Sequence, residues 1–285
     1  MSVAVRERLR VAHYVVSGNP VNVIAFGLFA FLVLCAIAGP AIAPYSPLAT
    51  DTPIALQPPS AAHWFGTDQL GRDIFSRVLV ATRLDLLIAF GAVALSCVLG
   101  SVIGAVIGYF GGWLDATVSR VVDVLMAFPL FVLAMAVVAA LGNTVANVVY
   151  ATAVINLPFY IRLARAEINV RRSLGYVEAA RVGGSGHFRI LLVFLMPNIF
   201  SPLIVQASVN LGWAVLNAAG LSFLGLGVRA PTAEWGIMVA EGAQFMASGQ
   251  WWTVVFPACA LMITVFSFNL LGDVVRDILD PRLRT

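Results

Sequence analysis

Uncharged apolar runs divide this chain into lengths that can be measured against a lipid bilayer. Val23 to Ala43 is 21 residues without a charge, Leu86 to Leu114 is 29, Val124 to Ile161 is 38, and Ile190 to Val228 is 39, with Gly242 to Gly272 closing the series. A helix needs about 20 apolar residues to cross the hydrocarbon core. The first two runs predict one crossing each, the second with its glycine-rich end spilling out. The third is too long for one span, and Gly142-Asn143-Thr144 supplies turn chemistry near its middle, so it reads as a helical hairpin. The fourth predicts a helix from about Pro197 to Ala218, followed by a segment punctuated by glycine. Gly242 to Gly272 makes the sixth crossing. The expected fold class is an all-α membrane protein with six transmembrane helices.

Composition agrees with lipid as the solvent. The 285 residues are 60% hydrophobic and only 11% charged, where a water-facing surface needs about a quarter charged. All seventeen cations are Arg, so every mechanism that needs a Lys is removed. Arg6, Arg8 and Arg10 ahead of an apolar stretch look like a secretory signal, but the 21-residue run is longer than an ordinary signal core, and Pro44 makes a poor cleavage junction. A retained span is expected. Six crossings place both termini on one side. Thirteen arginines then fall with the termini, and Arg72, Arg77, Arg83 and Arg229 fall opposite, so the excess of positive charge in cytoplasmic loops puts both termini in the cytoplasm.

That orientation divides the chain into a cytoplasmic segment 1–22 and a transmembrane domain 23–285. Within the latter, the reading places an external loop at 44–85, a cytoplasmic loop at 166–190, an external segment at 219–249 and a cytoplasmic tail at 274–285. Ile74 to Leu84 is expected to lie as an interfacial helix. There is no internal repeat and no soluble domain of any size.

Several chemistries are missing. A P-loop requires Lys. His13, His63 and His187 lie far apart and none sits in H-E-x-x-H. His187 occupies the last place of the G-x-S-x-G around Ser185, and the glycines of Gly225-Leu226-Gly227 follow a membrane run and precede Pro231, which makes them a loop. Cys35, Cys97 and Cys259 show no ligand spacing and read as core or lipid-facing thiols. No metal site or catalytic group is expected. The pattern also predicts no buried carboxylate pair through mid-membrane, which weakens the case for a proton-driven pump.

The informative segment follows the fourth crossing. From Tyr176 it reads YVEAARVGGSGHFRILLVFLMPN. Small residues would let a short helix sink into a partner's groove, Gly184 would end it, and Pro197 would open the next helix at a tolerated first-turn position. Six arginines between 162 and 189 face only Glu167 and Glu178 in that stretch. Spacing alone would also suit an ordinary cytoplasmic loop. The segment resembles the EAA motif of ABC importer permeases, with Glu178, Ala179, Ala180, Gly184, Phe194, Met196 and Pro197 in the motif's places.

Four further stretches, His63–Arg77, Gly111–Leu133, Leu221–Gly242 and Phe268–Arg284, are similar to the second permease subunit of the dipeptide, oligopeptide and nickel ABC importers. The resemblance implies the type I permease fold in a bacterial inner membrane and a heterodimer with a homologous permease. It also implies two cytoplasmic ATPases that hold the ATP and Mg, an external solute-binding protein, and Glu178 to Gly184 with Pro197 as the ATPase-coupling element. Nucleic acid is not among the expected partners, and this chain should bind no cofactor. Nickel import is the alternative within transport; a membrane-embedded enzyme or a scaffold is the alternative outside it. Asp85 departs from the family, whose R-x-S-L stretch carries a small hydroxyl residue there. A pairing with Arg83 at the interface is the simplest accommodation.

Two helical stripes complete the reading. Gly100, Gly104, Gly108 and Gly112 recur every four residues, a face that lets backbones approach within lipid. Gln206, Asn210, Trp213 and Asn217 fall at about 0°, 40°, −20° and 20° on a helix turning roughly 100° per residue. Polar amides at that depth must face protein or water, so this stripe either lines a translocation pathway or bonds neighbouring helices.

Overall fold

A computed structural model describes residues 20–279; Arg6, Arg8, Arg10, His13, Arg282 and Arg284 lie outside the described residues. Among those described, helices account for all regular structure except an isolated bridge between Thr67 and Asp73. The principal helices are α1 (Pro20–Ile42), α2 (Ile74–Phe110), α3 (Gly112–Ala127), α4 (Leu130–Leu141), α5 (Val145–Arg171), α6 (Gly175–Val182), α7 (Met196–Phe223), α8 (Trp235–Ala243) and α9 (Trp252–Leu279). Four stretches, α1, α2, His187–Phe223 and α9, are long and apolar enough to cross a membrane, and the bent pair of α3 and α4 makes a fifth candidate. Helix α5 is 27 residues long, and its charges collect after Ile161, so six passes remain consistent with the architecture.

Helix α2 differs from the expectation. Ile74 to Leu84 is not a separate helix, and the loop expected at 44–85 gives way at Ile74 to a single 37-residue helix. Asp73 is the reason. Its carboxylate accepts hydrogen bonds from the Ser76 amide at 2.8 Å and the Ser76 hydroxyl at 2.7 Å, satisfying donors that the first helical turn leaves free. At about 1.5 Å per residue α2 is some 55 Å long, far more than the roughly 30 Å hydrocarbon core. It ends at Phe110 because Gly111 adopts φ 64°.

The crossing expected from Val124 is broken. Phe128 is extended (φ −79°, ψ 144°), as a residue before proline prefers, and α3 and α4 meet there at 95°. The turn at Gly142-Asn143-Thr144 stands where its residues suggested: Gly142 caps α4, and the Thr144 hydroxyl accepts from the Asn147 amide to start α5. Helix α7 continues to Phe223 and α9 to Leu279, so the last crossing starts at Trp252 rather than Gly242 and the tail expected from 274 begins as helix.

Helices α2 and α5 run parallel at the centre, with α7 and α9, antiparallel to each other, beside them and α1 packed on α2 and α9. Tyr160, Leu195, Trp235 and Phe268 are among the side chains buried in the main core. The bundle has two distinct ends. One carries α6 and the arginines near it, the other carries the Pro44–Asp73 loop and α8.

Candidate functional site

The arginine-rich end is built around a short helix. Leu174 leaves α5 extended, α6 forms over eight residues, and Gly184 turns the chain at φ 79°. A side chain other than Gly rarely adopts that conformation. Val177 is the one α6 residue fully withdrawn from solvent, and it joins Ile168, Ile190 and Tyr109 in the core. Glu178 and Ala179 remain exposed. Glu178 has no side-chain hydrogen bond or ion pair among the described residues. Beyond them Val182 is 91% exposed and Phe188 76%. The element is thus anchored by one face and presents a mixed acidic and apolar face outward.

Its anchorage rests on Tyr109, which no sequence pattern marked, and on arginines that the sequence presents only as a positive patch. Tyr109, at the end of α2, bonds through its hydroxyl to His187 Nδ1 at 2.9 Å, and the Arg181 guanidinium lies 5.7 Å from its ring centre. Arg172 Nη1 donates to the Gly108 and Tyr109 carbonyls at 3.1 and 3.3 Å, completing a helix end whose carbonyls lack internal partners. Arg165 pairs with Asp115 and Arg162 with Asp123, so α3 is fastened to α5 in the same region. A helix ending in Tyr109 beside a loop carrying His187 had no pattern in sequence.

After the turn the chain re-enters the bundle through a π-helical stretch, Ile190–Leu195, directly before Pro197. Proline offers no amide hydrogen, and a widened turn accommodates that loss. The Asn198 side-chain amide donates to the Phe194 carbonyl at 2.6 Å in the same turn.

The glycine stripe forms the central contact. A Cβ on Gly100 would sit 2.6 Å from Tyr160 Cβ, one on Gly108 2.8 Å from the Arg165 carbonyl, and one on Gly104 2.9 Å from Ala164 Cβ with the Ile161 carbonyl closer still. Only hydrogen fits. Gly112 lies outside this contact, because the helix ends at Gly111 and nothing approaches within 4 Å of a Cβ there. On α7 the polar stripe divides. Asn210 is buried within the subunit and accepts from Gln206 Nε2 at 2.9 Å, while Trp213 is 61% exposed and Asn217 half-buried.

The opposite end is clamped by charge. Arg72 is fully buried, pairing with Asp68 and, at 2.8 Å, with Glu241 of α8. Arg77 Nη1 donates to the Pro47 and Pro231 carbonyls at 2.9 and 3.3 Å, linking two loops 184 residues apart in sequence. Asp85 does not pair with Arg83. It is buried, and its carboxylate accepts from the Trp235 amide at 3.2 Å beside Glu234, while Arg83 points outward. A pair of carboxyl groups is therefore buried, at the loop end of the bundle rather than through mid-membrane. Burial pushes the Glu234 carboxyl above the usual carboxylate range, against the pull of the Ile237 and Gly236 amides that it caps at 2.8 and 2.9 Å.

Comparison with known proteins places this architecture. Residues 100–285 match the family model of the binding-protein-dependent transport system inner membrane component. The chain belongs to that family. Residues 12–59 match the N-terminal transmembrane domain of oligopeptide transport permease C. The chain is similar to the probable D,D-dipeptide transport system permease protein of Escherichia coli (strain K12), 42% identical with 94% of this chain and 90% of the relative covered. It is 40% identical to the dipeptide transport system permease protein of Alkalihalophilus pseudofirmus, covering 94% and 88%. It is 46% identical to the glutathione transport system permease protein of Escherichia coli O6:K15:H31, covering 79% and 74%. As a binding-protein-dependent transport permease it is a multi-pass inner-membrane protein that works with other subunits of an ABC importer and performs no catalysis itself.

Proposed function

We propose that this permease forms half of the translocation pathway of an importer of short peptides, and that Glu178 to Gly184 couples it to ATP hydrolysis. The partners on this reading are a homologous permease, two ATPases that bind ATP and Mg at the arginine-rich, cytoplasmic end, and a solute-binding protein at the external loop end. The anchored α6 with its outward face supports the coupling role: a loop fixed to α2 through Tyr109 and continuous with α7 would carry a movement of the ATPases into those two helices. ATP would favour one arrangement of the ATPases, and α6 would pass that bias to the bundle. The names of the relatives support dipeptide- or glutathione-like cargo over the nickel alternative. Trp213 and Asn217, with Gln206 above Asn210, offer the polar and aromatic groups that a pathway wall for peptide amides would need.

The experiment is reconstitution of the complete importer in proteoliposomes with Gly184→Val in this subunit. A β-branched residue at φ 79° costs about 1 kcal/mol or more and displaces α6. Dipeptide uptake and binding-protein-stimulated ATP hydrolysis should fall together while the complex still assembles. Uptake and stimulation at wild-type levels would make the segment a connector only.

A further inference from the structure

Between α1 and α2 a groove of about 370 Å³ opens on the outside of the bundle, lined by Val33, Ala36, Ile37, Leu87 and Phe90 with one charged residue, Arg83. Its walls are apolar and face outward: Ile37 is 75% exposed and Leu87 60%. Arg83 is exposed and, among the described residues, makes no ion pair or side-chain hydrogen bond. An unpaired guanidinium on a membrane helix is costly unless it reaches the interface or meets an anion.

Depth can be read from the packing. Position 39 of α1 abuts the Leu79 carbonyl of the antiparallel α2, which sets Cys35 and Ala36 level with Arg83. Ala36 lies six residues from the end of α1 at Ile42, about 9 Å along its axis. From that level an arginine side chain extends toward the headgroups with its stem along the groove.

Among the described residues helix α1 packs chiefly on α2 and α9, and five of its 23 residues are buried. It also belongs to the separately matched N-terminal module rather than to the core that begins at residue 100. Both observations place the groove on the periphery. A second groove, of about 410 Å³ between α2 and α7, is lined by apolar side chains and small polar ones such as Ser101 and Ser208, with no charge, and nothing indicates what covers it.

We propose that the α1–α2 groove is a site for an anionic phospholipid, its phosphate held by Arg83 and one acyl chain lying along Ile37, Leu87 and Phe90. Charge complementarity selects the headgroup, and the apolar walls accept the chain. The lipid would complete the seam between the accessory helix and the core.

The test is native mass spectrometry of the purified importer, titrated in detergent with phosphatidylglycerol or phosphatidylcholine, comparing wild type with Arg83→Gln, Arg83→Lys and Leu87→Trp. Wild type should retain phosphatidylglycerol over phosphatidylcholine. Arg83→Gln should lose about fivefold in retention, the factor that one charge near an anionic leaflet is worth, with Arg83→Lys keeping most of it. Leu87→Trp, which fills the groove but keeps the charge, should also reduce retention. Equal retention by Arg83→Gln, or no preference between the lipids in wild type, would overturn the proposal. So would a photo-crosslinker at position 83 that joins to the partner permease instead of lipid.

Discussion

The contact between α2 and α5 makes a quantitative prediction through Gly100→Ala. The added Cβ would stand 2.6 Å from Tyr160 Cβ and 3.0 Å from the Leu157 carbonyl, where ordinary contact begins near 3.4 Å. The helices must therefore separate by 3.4 − 2.6 = 0.8 Å at that level, or Tyr160 must leave its place in the core. Overpacking of this kind costs about 1–3 kcal/mol. Helix propensity does not offset it fully, because membrane helices remain helical when they come apart and the alanine preference of about 1 kcal/mol is then mostly cancelled. Gly27→Ala on α1 is the control, since nothing lies within 4 Å of its Cβ. The assay is the thermal unfolding midpoint of the assembled importer in nanodiscs. At about 2–4 °C per kcal/mol, Gly100→Ala should lower the midpoint by several degrees and Gly27→Ala should leave it in place. Gly100→Ala with Gly104→Ala should cost less than the sum, since one separation relieves both contacts. An unchanged midpoint for Gly100→Ala would refute the close approach.

The acid pair predicts a pH dependence. Folding raises the Glu234 carboxyl above its ordinary value by burial, so the folded protein holds a proton that the unfolded chain releases near pH 4.3 (about the model-peptide value); stability should be fullest below that pH and fall as pH rises through the folded-state value. Glu234→Gln, which keeps an acceptor for the Gly236 and Ile237 amides but removes the titrating group, should flatten the fall in a series of unfolding midpoints against pH; an equally steep series would separate Glu234 from the effect. Orientation is tested by single cysteines in a background lacking the native three. One at Ala55 should react with an impermeant maleimide from outside and one at Ser173 should not, and the reverse result would overturn the assignment of ends.

What the sequence revealed depended on the range of the interaction that decided each feature. The turn at Gly142, the short helix before Gly184 and the glycine face at 100, 104 and 108 are set by residues within one or two helical turns, and spacing exposes them. Gly112 continued the four-residue spacing yet fell outside, because periodicity does not show where Gly111 ends the helix. The bend before Pro129 carried a local signal in the residue pair itself, but the long uncharged run outweighed it in the reading. Asp85 and Glu234 are 149 positions apart, and Tyr109 and His187 are 78 apart. No local pattern joins such residues; only the packing of α2 against α8 and against the α6 loop does. Four arginines were assigned to the external side for orientation, and two of them, Arg72 and Arg77, are buried in the clamp at the loop end.

The central claim is that α6 is the surface on which the ATPases act. Val182, 91% exposed beside Gly184, is the position from which to ask it. A photo-crosslinking residue at 182 in the complete importer, irradiated with and without a trapped ATP state, should join this subunit to an ATPase subunit, with a yield that changes with nucleotide. Products with lipid or with the other permease alone, in both nucleotide states, would contradict the account.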